Sequence, residues 1–316
     1  MAEFHSVVVP MYCEADVAEQ FIDRTTAVLD GLGSWELIVV DDGSTDATFD
    51  IVKARAQSDP RIKIIRLARN FGHQAATSAG IHHASGDTVT VIDADLQDPP
   101  EGIAELVQAW RDGAEIVYAT RTARRGESLF KRWSAAAYYR VFQALSSTSA
   151  PLDSGDFRLM GRTATRAFCE MNERNRYVRG MVGWIGMPSA RVNYARDPRA
   201  AGETKYPLRK MIALAADGLF SFSLVPLRIA VWFGVFSALL GFAIGLWAFI
   251  QRMSGGAVIP GWASTMVAIL FMGGVQLLTV GVMGEYIGRI YDEVRRRPLY
   301  LIGETVGELP TVTTAR

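Results

Sequence analysis

Two long stretches without charge constrain this chain first. Residues 229–250 (IAVWFGVFSALLGFAIGLWAFI) hold no charged side chain in 22 positions, and residues 263–283 (ASTMVAILFMGGVQLLTVGVM) hold none in 21. At about 1.5 Å per residue, each would reach across a hydrocarbon core of roughly 30 Å. Core helices of soluble proteins are usually shorter and keep a polar stripe. A transmembrane hairpin is therefore expected, with spans at about 229–250 and 263–283. Arg209, Lys210 and Arg228 precede the first span, and Arg289, Arg295, Arg296 and Arg297 follow the second. The connector 251–262 has Arg252 as its single basic residue. Lys and Arg mark the cytoplasmic side, so both termini are expected in the cytoplasm and the connector outside. Trp247 and Trp262 would then sit near the outer interface. Gly241, Gly245, Gly273, Gly274 and Gly281 permit close helix contacts, and a homo-oligomer is expected.

The rest of the chain has a different character. Residues 1–225 read as an ordinary α/β sequence. Formal net charge is zero, so no bulk basicity points to nucleic acid. Cys13 and Cys169 are the only cysteines. They lie far apart and form no zinc-type or disulfide framework, which suits a reducing cytoplasm. Glu3 and the short apolar run 7–9 do not make a signal peptide.

Hydrophobic runs predict strands over 5–10, 35–40, 62–67, 88–92 and 116–120. Helical patterns predict helices over 16–32, 45–58, 74–84 and 100–112. Such alternation predicts a mainly parallel sheet covered on both faces, and ligands of such sheets bind beyond the carboxyl ends of the strands. Polar clusters stand at those ends: Tyr12 and Glu14, then Asp41-Asp42-Gly43-Ser44, Arg69-Asn70, Asp93 and Asp95, and Arg121. Aromatic and basic residues mix over 129–145 and 206–224. These segments are expected to lie as helices in the headgroup layer or to pack on the sheet.

The stretch 88–100, Thr-Val-Thr-Val-Ile-Asp-Ala-Asp-Leu-Gln-Asp-Pro-Pro, carries the sharpest chemistry. An unpartnered carboxylate near a core shifts its pKa and neutralises. A hard divalent cation shared with a diphosphate suits Asp93 and Asp95, with Asp95 as the bridge and Asp93 and Gln97 close by. Mg²⁺ or Mn²⁺ there would offset the charge of a leaving nucleotide. In Asp41-Asp42-Gly43-Ser44-Thr45-Asp46, Ser44 or Thr45 is suited to cap a helix. A carboxylate of Asp41 or Asp42 can accept from ribose hydroxyls or a base N–H. His73, without a second His or Cys at ligand spacing, is not expected to hold a metal; it is either near the nucleotide or structural. The basic run Arg124, Arg125, Lys131 and Arg132 is either solvated surface or a lure for a lipid phosphate beside anionic headgroups.

Several motifs together resemble a known family. They are Val7-Val8-Val9-Pro10-x-Tyr12-x-Glu14, Val39-Val40-Asp41-Asp42-Gly43-Ser44-Thr45-Asp46, Arg69-Asn70-Phe71-Gly72-His73-Gln74 and Asp93-Ala94-Asp95-Leu96-Gln97-Asp98. They look like family 2 glycosyltransferases of the GT-A fold. With the hairpin and the tail Glu285-Tyr286-x-Gly288-Arg289-x-Tyr291-x-Glu293, the whole chain resembles bacterial polyprenyl-phosphate glycosyltransferases, relatives of dolichol-phosphate mannose synthase. The resemblance implies a Rossmann-like nucleotide-sugar domain over 1–165 and an acceptor-side segment over 166–225. A hairpin over 226–285 and a cytoplasmic tail over 286–316 would complete the chain. It implies nucleotide-sugar contacts at Pro10, Tyr12, Glu14, Val39, Asp41, Asp42, Asp93, Ala94 and Arg199. Metal contacts are implied at Asp93, Asp95 and Gln97. Phosphate contacts are implied at Arg121, Arg199 and Lys205, with Lys131 and Arg132 on the lipid side. Asp95, Arg121, Asp156 and Lys205 are the expected catalytic set.

Asp156, in Ser154-Gly155-Asp156-Phe157-Arg158, stands where this fold keeps a carboxylate near the acceptor. A phosphate monoester has its second pKa near 6, so an acceptor of that kind arrives ionised and needs no strong base. Asp156 is expected to orient acceptor or sugar. The expected activity is inverting transfer of a hexose, glucose from UDP-glucose, to undecaprenyl phosphate at the bacterial inner membrane. Mannose from GDP-mannose or an amino-sugar is the alternative donor, and a non-catalytic membrane scaffold is a further alternative. A processive polysaccharide synthase would carry Gln-x-x-Arg-Trp; here Leu129 stands where that Gln would precede Arg132-Trp133.

Overall fold

The structure is a computed structural model that describes residues 3–121, 154–174, 176–194, 225–254 and 261–310. The expected helices over 129–145 and 206–224 lie outside those residues, as do Arg124, Arg125, Lys131, Arg132, Arg199 and Lys205. The chain divides into two compact units, residues 1–214 together with 297–316, and residues 215–296.

The first unit is built on one eight-stranded sheet. Its elements are β1 (Phe4–Met11), α1 (Ala15–Asp30), β2 (Ser34–Asp41), α2 (Thr48–Ser58), β3 (Ile62–Leu67), α3 (His73–His82) and β4 (Thr88–Val91). Then come α4 (Gly102–Arg111), β5 (Ile116–Arg121), β6 (Ser154–Gly161), α5 (Arg162–Glu170), α6 (Val178–Ile185) and β7 (Ser189–Tyr194). The last strand, β8 (Ile302–Val306), follows the second unit in the chain. Strand order is β7-β5-β6-β4-β1-β2-β3-β8.

The five strands expected from hydrophobic runs are present. Val7, Val8 and Val9 of β1 and Leu37 to Val40 of β2 are fully buried, as β-branched runs in a sheet covered on both faces must be. On α1, Val17, Phe21, Ile22, Thr25 and Leu29 are buried, the stripe of an amphipathic helix. Glycine at position 80 lets α3 lie close on the sheet: a Cβ there would stand 2.2 Å from Val8 Cγ1.

The sheet is mainly parallel, as expected, but mixed: six strands share one direction and two run against them. β6 runs antiparallel to both β4 and β5, which it separates, and β8 runs antiparallel to β3. The segment expected only as a tail thus closes the sheet edge. Its docking is specific: Ala68 N donates to Leu301 O at 2.8 Å, Lys53 Nζ donates to Glu304 Oε1 at 2.6 Å, and Tyr300 Oη lies 3.1 Å from His82 Nδ1. Helix α2 begins at Thr48 rather than 45. Ser44 is not its cap, because the Ser44 hydroxyl accepts from Cys13 N.

The second unit contains α7 (Val225–Met253) and α8 (Trp262–Val294), which pack on each other. Leu227–Trp247 is long and apolar enough to cross a membrane, with mean hydropathy 2.2 and only 11% of it buried. A core helix of a soluble protein would be mostly covered; here Trp232, Phe236, Leu239 and Phe242 are exposed. The described residues contain one helix that meets this test.

Candidate active site

The carboxyl ends of β1, β2 and β4 carry the acidic residues that the motifs singled out. Asp41 closes β2, where its Oδ1 accepts from Ser44 N at 3.0 Å and its Oδ2 faces Arg66 Nε at 3.2 Å. The Arg66 guanidinium lies over the Phe49 ring. Asp42 is occupied differently. Its oxygens accept from Phe71 N at 2.7 Å and Gly72 N at 2.9 Å. It therefore braces the loop that leads into α3. Burial pushes its carboxyl upward, and those two amides only partly offset this. Gly43 has φ +70, and a Cβ there would meet the Arg69 backbone at 2.6 Å. The two loops close on each other only because that side chain is missing.

Tyr12 is exposed at the end of β1, and Glu14 precedes α1. Pro10, Val39 and Ala94 are buried, Val39 completely and within the core. Arg121 is the last residue of β5, in register with Tyr194.

Antiparallel β6 brings the second half of the site to the first. Val91 pairs with Arg158; Asp93, two residues past the end of β4, and Asp156, two residues before Arg158, thereby come close, with carboxylate oxygens within 4.8 Å. His73, the first residue of α3, lies between them, its Nε2 at 3.6 Å from Asp93 Oδ1 and 3.4 Å from Asp156 Oδ2. Asp156 is gripped by two guanidinium groups. Arg179, on α6, donates from Nε to Oδ1 at 2.9 Å and from Nη2 to Oδ2 at 2.8 Å. Fully buried Arg158 donates from Nη2 to Oδ1 at 3.0 Å. Gln74 Oε1 accepts from Val178 N at 2.8 Å, fixing the start of α6.

The electrostatics of the two carboxylates diverge. Burial pushes Asp156 up, but Arg179, His73 and Arg158 reverse this and hold it well below the usual carboxylate range. Burial also pushes Asp93 up, to about 6; His73 opposes the rise, and Asp156, Asp98 and Asp95 add to it. His73 is raised: burial lowers it, and Asp156 and Asp93 outweigh that.

Asp93 Oδ1 is buried with no hydrogen-bond partner. Buried Glu36 shows what a satisfied carboxylate looks like in the same sheet. It accepts from Ser6 Oγ, Ser85 N, Ser85 Oγ and Lys63 Nζ. An orphaned buried carboxylate oxygen fits a hard cation. Ligand atoms of His73, Asp93 and Asp156 lie within 4.8 Å of one another, close enough to share an ion. Of the expected set Asp93, Asp95 and Gln97, Asp93 alone belongs to this group, and His73 stands in it against expectation. Asp95 Oδ1 accepts from Gln97 N at 3.1 Å in a loop where Leu96 adopts φ +58. Asp98, beyond it, accepts from the Tyr194 hydroxyl.

The Arg179–Asp156–Arg158 clamp is the part that sequence reasoning missed. One signal was available. Arg179 is a charge set among Val178, Met181 and Val182, all buried on α6.

Comparison with known proteins bears on this arrangement. Residues 6–169 match the family described as Glycosyl transferase family 2, which spans β1 through α5 and includes both carboxylates. The chain belongs to glycosyltransferase family 2. Residues 225–290 of this glycosyltransferase match a second family, described as GtrB C-terminal hairpin. It is 44% identical over 304 residues to the uncharacterized glycosyltransferase YkcC of Bacillus subtilis, covering 96% of this chain and 94% of that one. It is 40% identical over 299 residues to the SfII prophage-derived bactoprenol glucosyl transferase of Shigella flexneri, covering 94% and 96%. Among solved structures, glucosyl-3-phosphoglycerate synthase of Mycobacterium tuberculosis, in complex with Mn²⁺, UDP-glucose and phosphoglyceric acid, shares the fold. That likeness has a TM-score of 0.51 at 21% identity over 69% of this chain and 79% of that one.

Proposed function

We propose that this glycosyltransferase moves glucose from UDP-glucose to a polyprenyl phosphate, undecaprenyl phosphate, at the cytoplasmic face of the bacterial inner membrane. The observation that carries this reading is the extent of the likeness to bactoprenol glucosyl transferases, which covers 94% of the chain and so runs through both sheet and hairpin. UDP-glucose and Mn²⁺ bound to the M. tuberculosis enzyme of the same fold are consistent with it.

The chemistry follows from the site. The donor nucleotide lies over β1 and β2, against Tyr12, Glu14 and Asp41. The ionised oxygen of the acceptor phosphate attacks the anomeric carbon. A new carbon–oxygen bond forms as the bond to the β-phosphate of UDP breaks, and the electron pair leaves with UDP. The anomeric configuration inverts. No proton has to be removed, because the acceptor is an anion. This agrees with an Asp156 held ionised and clamped rather than poised as a base. Asp93, Asp95 and Gln97 would hold Mg²⁺ or Mn²⁺, which when bound supplies charge stabilisation to the departing diphosphate. Arg121, Arg199 and Lys205 would contact phosphate groups, and Lys131 and Arg132 would face the headgroups.

The topology of the first unit supports two membrane crossings. Strand β8 pairs with β3, although α7 and α8 separate them in the chain. A single crossing would leave these partners on opposite sides of the bilayer. Self-association through the spans would use the small residues Gly241, Gly245, Gly273, Gly274 and Gly281.

The deciding experiment gives the full-length protein in membranes a panel of radiolabelled nucleotide sugars with undecaprenyl phosphate, with and without Mn²⁺. A prenyl-linked product from UDP-glucose alone, dependent on metal, is expected. Product from GDP-mannose instead, or none from any donor, would overturn the assignment.

A further inference from the structure

The Asp156 oxygens are engaged by side chains of the protein. Oδ1 takes Arg179 Nε and Arg158 Nη2; Oδ2 takes Arg179 Nη2 and faces His73 Nε2. An ionised carboxylate offers about four acceptor positions, and all four are turned to basic side chains of the protein. Such a group does not receive a proton or a sugar hydroxyl; it holds its neighbours in place.

The neighbours differ in what they can still do. Arg158 is fully buried and also donates to the Asp156 and Gly155 carbonyls. His73 directs its Nε2 at two carboxylates. Arg179 spends two of its five N–H groups on Asp156, and 37% of its side chain is exposed. Its position is fixed twice, by the two-point fork on Asp156 and by the Gln74 bond at the start of α6.

Sheet order says which substrate it meets. The nucleotide half is β1, β2 and β3, and Asp93 follows β4 at its border. Asp156 on β6 lies on the opposite side of β4 from β1. Arg179 therefore stands beyond the leaving diphosphate, where the attacking group must approach. We propose that Arg179 is a binding residue for the phosphate monoester of the acceptor, presented by Asp156 as a positioning residue. The inference rests on the proposed function for the identity of that acceptor. The N–H groups that Asp156 leaves over, on Nη1 and Nη2, form a second charged edge that suits two oxygens of one phosphate.

The test uses full-length protein in nanodiscs, with Arg179→Gln and Arg179→Lys. Undecaprenyl phosphate is varied at saturating UDP-glucose, and UDP-glucose binding is measured separately by calorimetry. Arg179→Gln is expected to raise the acceptor KM at least about tenfold, the worth of one charge-assisted contact, while donor affinity stays within twofold. Arg179→Lys is expected to fall between, keeping the charge and losing the fork. Asp156→Asn is expected to raise acceptor KM in the same direction. Inorganic phosphate should compete with the lipid in the wild type and lose that competition in Arg179→Gln.

An unchanged acceptor KM overturns the proposal, as does competition by inorganic phosphate that survives Arg179→Gln. A loss confined to donor affinity also overturns it, because it moves Arg179 to the diphosphate. Should Arg179→Gln fail to fold, judged by loss of the far-UV circular dichroism spectrum and of a cooperative melt, Arg179→Lys decides on the same criteria. A wild type that glucosylates a different phosphorylated acceptor would overturn the lipid assignment alone; the Arg179 test then runs on that acceptor.

Discussion

Asp93, just past β4, and Asp156, on neighbouring β6, lie close together and are held in contrasting states. One has a bare buried oxygen and the other is saturated by arginine. A cation would complete the first. Asp95→Asn, which weakens the same loop as a ligand set, is expected to lower transfer by about two orders of magnitude at saturating metal, read as kcat with radiolabelled UDP-glucose. Away from the site, His82 offers a stability test. Burial first, then Arg176 and His83, pushes it down to about 4, whereas in the unfolded chain it takes its proton near 6.5. Between those values the unfolded state binds more protons, so acidification removes stability in that window and leaves stability above pH 6.5 unaffected by this group. The Tm of the full-length protein should fall from pH 6.5 to 4, and His82→Gln should flatten that slope. Where the carboxylates gather was legible in the sequence, because Asp93, Asp95, Asp41 and Asp42 follow hydrophobic runs. Their division of labour was not. Asp42 binds backbone amides of a loop 29 and 30 residues away, and Arg179 reaches Asp156 across 23 residues.

Elements were readable where burial on both faces leaves an unbroken apolar run, as in β1 and β2. β6 escaped because Ser154-Gly155-Asp156-Phe157-Arg158 mixes glycine and charge, two features that weaken a strand pattern. β7 alternates exposed and half-buried positions, and β8 is a five-residue edge strand containing Gly303. Since β6 is the strand that carries Asp156 to Asp93, missing it hid the second half of the site. Helix α3 ties these parts together: His73 and Gln74 face the site at one end, and His82 meets Tyr300 at the other. Its seat on the sheet depends on Gly80. Gly80→Ala places a methyl 2.2 Å from Val8 Cγ1 and 3.0 Å from Val40 Cγ2. Overpacking of this kind is expected to destabilise by about 1–3 kcal/mol, measured as a lower urea midpoint with an unchanged slope.

At the scale of the molecule, one chain carries a nucleotide-sugar sheet and an apolar hairpin. With the two crossings proposed above, residues 251–262 would lie outside and both termini inside. A cysteine introduced at position 257, in a background where Cys13 and Cys169 are replaced by serine, is expected to react with a membrane-impermeant maleimide in intact cells. A cysteine at position 312 should react only after permeabilisation. The reverse pattern, or equal labelling of both, would rule out the hairpin topology.

Strand β8 has a consequence for the order of synthesis. β3 leaves the ribosome early, yet its outer edge has no partner until residues 302–306 emerge, after both helices of the second unit have been made. An open edge strand is a template for wrong pairing. Under the two-crossing topology proposed above, the sheet would wait on insertion of both helices, and only a chain that made both crossings would deliver β8 to β3 and seal the edge.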